Sequence, residues 1–267
     1  VTADYTYSQI FGIHNNTDRK DNRNMQTNNE SKRNPKKEMM LGTFLTIVGG
    51  ILWGISGVCG QFLFQNKEVT AAWLVPIRLV TAGILLLCYY FFKDKGKTFD
   101  IWKTKRNRTD IIVYGLAGMM LCQYSYFQTI EWSNAGTATV IQYLGPALIV
   151  VWVCFRTKRL PQKKEVLGVL LAVTGIFLIA THGNPTSLAL SQKALAMGLL
   201  SAVSVVVYTI KPARLQAQFA TPLVLAWGML IGGAVLMAVF RPWDYQVIFD
   251  RETFAAVAFI ILFGTMA

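Results

Sequence analysis

Residues 133–154 read SNAGTATVIQYLGPALIVVWVC, and from Ala135 to Cys154 they carry no charge. About 20 apolar residues are what an α-helix needs to cross ~30 Å of hydrocarbon. Yet this run also holds Thr137, Thr139, Gln142, Tyr143 and a Gly145-Pro146 pair. A plain anchor has no use for an amide, hydroxyls and a helix-breaking proline at its middle. What surrounds the segment therefore decides its role.

The surroundings are membranous. The 267-residue chain is 53% hydrophobic and 15% charged, against roughly 25% charged in a typical soluble domain. Apolar runs of spanning or near-spanning length recur at 41–64, 70–92, 111–130, 136–155, 165–182, 194–210 and 221–240, with a shorter one at 253–267. With no water in a bilayer to satisfy backbone groups, such runs must be helices, and the period-two alternation of a barrel is absent. The reading is an all-α polytopic membrane protein with eight visible transmembrane helices. The tail, 1–40, is basic and rich in Asn, Lys and Asp, a composition expected to be disordered. Met25, Met39 and Met40 are each plausible starts, the tail is not a signal peptide, and the natural protein is expected to continue past Ala267.

The net charge of +12 could suggest nucleic acid, but its placement argues otherwise. Lys and Arg number seven in 1–40, seven in 93–110, five in 156–164 and two in 211–220, which are alternate connections on one side: 21 in all. The other side holds Lys67, Lys193, Arg241 and Arg251, and Arg78 alone lies inside a span. Under the positive-inside rule this split puts the amino terminus in the cytoplasm of a plasma membrane. The partners expected are a small-molecule substrate and the lipid bilayer, not nucleic acid, and a homodimer is compatible with the pattern. Cys59, Cys88, Cys122 and Cys154 sit in four different spans without a CxxC, and His14 and His182 are isolated. No metal, disulfide framework or cofactor is implied. The sequons at Asn15, Asn29 and Asn107 fall on the cytoplasmic side and read as chance.

Several stretches resemble the drug/metabolite transporter superfamily, EamA type. They are GGILWGISGVCGQFLF (49–64), YSYFQTIEWSNAGTATVIQYLGPALIVV (124–151), GVLLAVTGIFLIATHGN (168–184), GLLSAVSVVVYTIKPARL (198–215) and the second-span Arg78. The resemblance runs from about residue 40 to the end. It implies ten helices in two inverted five-helix repeats that move small metabolites by alternating access. A first repeat would then occupy 41–182 and an incomplete second one 183–267. The internal repeat is weak: an offset of 150 pairs Gly83 with Gly233.

Within the spans, Pro146 removes a backbone hydrogen bond and Gly145 permits a close approach, so the helix should break nearby. That break is either a packing kink or the lining of a cavity. Thr139, Gln142 and Pro146 share one helix face, and Tyr124 and Gln128 form a similar pair with Gln123 beside them. These groups are either interhelical glue or substrate contacts. Trp53 either lines the pathway or packs, and Gly50, Gly54 and Gly57 read as a helix-packing stripe. Arg78 is the sharpest residue: a charge in the membrane costs at least ~2.5–3.5 kcal/mol and is a functional hypothesis by default. The alternative is that it snorkels or is held by amides such as Gln123 or Gln142. If functional, its planar fork suits a carboxylate or phosphate. Near the sixth span's inner end, Tyr208 and Lys211 precede Pro212, and Lys211 marks either the cytoplasmic interface or a gate or substrate contact.

No Asp or Glu lies in the apolar interior of a span; Glu131 and Glu165 lie at ends. Exchange or facilitated movement is therefore expected rather than proton coupling. A membrane-embedded enzyme would need a nucleophile, base or metal set, and none is visible. A sensory or structural component would need a sizeable soluble domain. The expected function is a secondary transporter for an amino acid, organic acid or similar compound, by export or exchange, with an inactive remnant as a further alternative.

Overall fold

In a computed structural model, residues 35–93, 98–181 and 190–265 are described, and their regular structure is entirely helical. The helices are α1 (Pro35–Asn66), α2 (Ala71–Lys93), α3 (Lys105–Val113), α4 (Leu121–Trp132), α5 (Ala135–Gln142), α6 (Leu144–Thr157), α7 (Lys163–Thr181), α8 (Gln192–Gln216), α9 (Thr221–Phe240) and α10 (Arg251–Leu262). Among the described residues, six stretches are long and apolar enough to cross a membrane: Met39–Asn66, α2, Ala135–Thr157, α7, α8 and α9. The third predicted run is the rod α3–α4, joined through a π-helical segment at Tyr114–Met120. The eighth is α10, whose described helix has only 12 residues.

Local chemistry sets the helix ends. Asn134, Ser191 and Asp250 cap α5, α8 and α10 by accepting from backbone N–H groups three residues on. Pro35 suits a first helical position, where its missing N–H would be unsatisfied anyway. It starts α1 before the boundary expected at 41. The rest of the predicted tail, the 182/183 repeat boundary, His14, His182, Asn15 and Asn29 lie outside the described residues. Asn107 is buried, and its side-chain oxygen accepts from Arg214 Nη2 at 3.1 Å, so it is packed structure rather than a glycan acceptor.

Packing is closest where glycine removes a Cβ. A Cβ on Gly83 of α2 would lie 2.9 Å from Leu230 Cγ of α9, and one on Gly233 of α9 would lie 2.8 Å from Val80 Cγ2 of α2. The rod crosses α9 at its π segment, with Gly115 against Ile231, and meets α8 with Gly118 against the Tyr208 backbone. At the opposite end of the sequence, α10 packs on α1, with Gly264 against Ser56. A small-residue interface of this kind lets backbones approach where lipid supplies no hydrophobic drive.

Among the described residues, the expected glycine stripe on α1 packs at Gly57 but not at Gly50 or Gly54. Gly57 does pack, within 3.2 Å of the Tyr126 hydroxyl as judged from its missing Cβ, and Gly60 packs on Phe127. Gly50 and Gly54 meet nothing among the described residues, and the neighbouring Leu45, Ile47, Ile51 and Ile55 are exposed. Spacing put all three glycines near one face, but only the later turns of α1 touch the bundle.

Two ionic clasps close opposite ends of the bundle. Where the Lys/Arg-rich connections lie, Arg214 of α8 binds Asp110 of α3 through Nη1, and Lys211 lies 3.6 Å from the same carboxylate. At the other end, Lys67 after α1 lies 2.6 Å from both Asp250 and Glu252 at the start of α10.

Candidate functional site

Pro146 cannot donate to the Gln142 carbonyl, so the helix opens one turn earlier. It does so at Tyr143, the turn residue between α5 and α6. Gly145 seats this broken span on α8: an added Cβ would lie 2.7 Å from Val205 Cγ1. Sequence left a packing kink and a cavity lining as alternatives, and the structure combines them. Gly145 packs, while Gln142, Tyr143 and Pro146 line a cavity of about 290 Å³.

The rest of that cavity comes from three other elements. Trp53 enters from α1, Gln123 and Tyr126 from α4, and Tyr208 and Thr209 from α8. Trp53 and Tyr126 stack at 5.7 Å between centroids, with planes 21° apart. Thr139 lies behind this pair. Its hydroxyl donates to the Ala135 carbonyl at 2.7 Å, which leaves its oxygen to accept from the Tyr126 hydroxyl at 2.9 Å. Gln142 is buried, and its amide donates to Ser201 Oγ at 2.7 Å while facing Cys122 Sγ at 3.5 Å.

Arg78 stands one side chain behind this wall. It is 1% exposed. Its Nε donates to Thr265 Oγ1 at 2.7 Å, and its Nη2 donates to Gln123 Oε1 at 3.2 Å. The guanidinium carbon lies 4.6 Å from the Phe127 ring centroid, a cation–π contact. Nη1 has no partner among the described residues, and no carboxylate there pairs with this arginine. Snorkelling is therefore excluded, since a snorkelling head would reach water. A buried guanidinium held by one amide, one hydroxyl and one ring keeps a donor unused and a charge uncompensated.

The predicted residues thus divide. Trp53, Gln123, Gln142 and Pro146 meet at the cavity, Thr139 and Arg78 support it from behind, and Gly145 packs. Tyr124 and Gln128 do not reach it. Tyr124 stacks on Phe240 at 4.8 Å and donates to Gln128 Oε1 at 2.8 Å. One turn on, the Glu131 carboxylate accepts from the Ala71 N–H at 2.6 Å and so caps α2. This second polar face of α4 ties helices together. Tyr126 was not singled out by sequence, although it lies three residues after Gln123 and so shares its face.

Among the described residues no group of three His, Cys, Asp or Glu side chains could hold a metal ion, and all four cysteines are free.

The EamA-like transporter family matches residues 40–181. The chain is 34% identical over 224 residues to the uncharacterized inner membrane transporter YicL of Salmonella typhimurium, covering 84% of this chain and 74% of that protein. It is 24% identical over 149 residues to the uncharacterized transporter YetK of Bacillus subtilis, where the match spans 55% of this chain and 43% of the relative. For the uncharacterized transporter YyaM of the same organism the identity is 23% over 121 residues, 45% of this chain and 37% of the relative. A protein of known crystal structure shares the fold, with a TM-score of 0.52 at 17% identity over 80% of this chain and 75% of that one. With its helical spans, its glycine-seated broken helix and these relatives, the chain belongs to the EamA-like transporter family and is a membrane transporter.

Proposed function

We propose that this transporter moves a small anionic or zwitterionic metabolite, such as an amino acid or organic acid, across the plasma membrane by alternating access, as an exporter or exchanger. The observation that carries this reading is Arg78: a buried cation with an unused Nη1 and no carboxylate among the described residues, one amide away from the cavity. A fixed ion pair would have neutralised it permanently. A passing carboxylate or phosphate supplies the missing charge only while bound, and the fork of the guanidinium matches either group. At about 290 Å³ the cavity suits a small solute.

An inverted repeat is supported by the α2–α9 seam. Gly83 meets Leu230 and Gly233 meets Val80, and each residue of the first pair is 150 positions from its counterpart in the second. Such reciprocity is the mark of a two-fold contact. The rod on α8 and α10 on α1 form the two sides of the same relation, each closed by an ionic clasp at its own end of the bundle. In alternating access these clasps act as the two gates, the Asp110–Arg214 one facing the cytoplasm and the Lys67–Asp250 one facing outward, in keeping with the charge bias. The ten-helix count expected from the resemblance belongs to the same reading.

The test is counterflow in proteoliposomes loaded with unlabelled acids, zwitterions or amines. Accumulation of labelled acids or zwitterions, but not amines, is expected. Accumulation of amines alone contradicts the assignment.

A further inference from the structure

A second cavity, of about 760 Å³, opens between the end of α6 and the start of α7, away from the central one. Its walls are mainly apolar, with Val151 and Phe155 on one side and Val169 and Leu170 on the other. Its mouth is cationic. The 156–164 connection carries five Lys and Arg residues, and the carboxylate that pairs there, Glu165, is committed to Arg159 through two bonds of 2.8 and 2.9 Å. Arg156, Lys158, Lys163 and Lys164 are exposed and form no ion pair among the described residues. The loop is nonetheless fixed in place: Lys158 ends α6 with φ 52°, and Arg159 N–H donates to the Cys154 carbonyl at 3.1 Å.

We propose that this groove binds an anionic phospholipid, with an acyl chain between α6 and α7 and the headgroup phosphate against Arg156 and Lys158. A soluble anion would use the cations but leave the groove empty. A zwitterionic lipid would fill the groove but gain little from the uncompensated Arg156 and Lys158 that line it. Only an amphiphile with a net negative head uses both. Access favours lipid too, because the groove adjoins an apolar helix face: Leu167, Leu171 and Val173 of α7 are exposed, as are Phe155 and Leu160 at 81% and 89%. Basic pockets between spans at the charged end of a bundle recognise such headgroups. The site is independent of Arg78 and of the transported solute.

The test is native mass spectrometry of the full chain in detergent, titrated with phosphatidylglycerol and with phosphatidylcholine of identical acyl chains. Phosphatidylglycerol is expected to bind about tenfold tighter. Arg156→Gln with Lys158→Gln should remove that preference, while Lys105→Gln with Arg108→Gln, an equal charge loss on the same face, should leave it unchanged. Val169→Trp, which narrows the groove, should weaken both lipids. Equal binding of the two lipids by the unsubstituted chain, an equal loss in the control variant, or displacement by inorganic phosphate alone would each overturn the proposal.

Discussion

Arg214 and Arg78 are both arginines held mainly by side chains from other helices, yet they are treated in opposite ways. Arg214 binds the Asp110 carboxylate and the Asn107 amide, and its side chain keeps 20% of its surface in solvent. Arg78 is wholly enclosed and receives an amide, a hydroxyl and a ring face instead of a carboxylate. A paired charge near water is a joint between α3 and α8. An unpaired charge in the interior costs stability wherever nothing compensates it. The difference teaches that a charge used as a joint between helices is given a carboxylate, whereas the one enclosed in the interior is left without one among the described residues.

The largest effects should separate the two arginines. Arg78→Gln is expected to reduce transport by at least about a hundredfold while leaving the melting midpoint unchanged or higher, because it removes a buried unpaired charge. Arg78→Lys should not restore transport, since an ammonium lacks the fork that reaches Thr265 and Gln123 together. Arg214→Gln should do the reverse, costing about 1 kcal/mol of stability by leaving Asp110 only the looser contact with Lys211 at 3.6 Å, with residual transport. If both variants lose stability alike, as read by thermal unfolding in detergent, the contrast fails.

Next in size is the broken span. Gly145→Ala forces a Cβ within 2.7 Å of Val205 Cγ1, an overpacking expected to cost about 1–3 kcal/mol. Pro146→Ala should instead restore the bond to the Gln142 carbonyl and reshape the cavity, lowering transport more than stability. Unfolding midpoints and counterflow rates of the two variants sort packing from lining.

A smaller effect is expected at the clasps. Asp110→Asn should open one end and raise thiol labelling of Cys122, which lines the cavity, severalfold in a chain whose other three cysteines are replaced by alanine. Unchanged labelling would remove that clasp from the gating scheme.

The smallest is a pH effect at the opposite end. The hydrogen bond from Lys67, with that from the Thr253 backbone, holds the Asp250 carboxyl below the ordinary carboxylate range, while the bonds to Asp250 and Glu252 push Lys67 up. Asp250's contribution is therefore complete above its unfolded value of ~3.9 and is lost as pH falls through the lower folded value. Lys67's is complete below its unfolded value of ~10.4 and lost as pH rises through the higher folded one. Between about pH 5 and 9 the clasp should not titrate, and Lys67→Gln should flatten the pH dependence of unfolding both below and above that window. A transport rate that follows a pH gradient and survives Glu131→Gln would contradict the expectation that the described helices move solute without proton coupling.

Much of this was legible in the sequence, because lipid imposes simple demands. Uncharged runs had to be helices, Pro146 had to open one, and Arg78 had to be exceptional. What sequence could not supply was the neighbour. Tyr124–Gln128 and Gln123–Tyr126 are two polar faces of one helix, and only the placement of α1 and α8 decides which meets the cavity. Asp110 and Arg214 are 104 positions apart, beyond any local spacing rule. Gly50 and Gly54 read as packed because spacing identifies a face without saying what covers it.

The most direct measurement is counterflow of a transported carboxylate against its neutral amide, in the unsubstituted chain and in Arg78→Gln. Strong preference for the carboxylate is expected in the first and none in the second. An Arg78→Gln protein that still carries the acid and still rejects the amide would contradict that expectation.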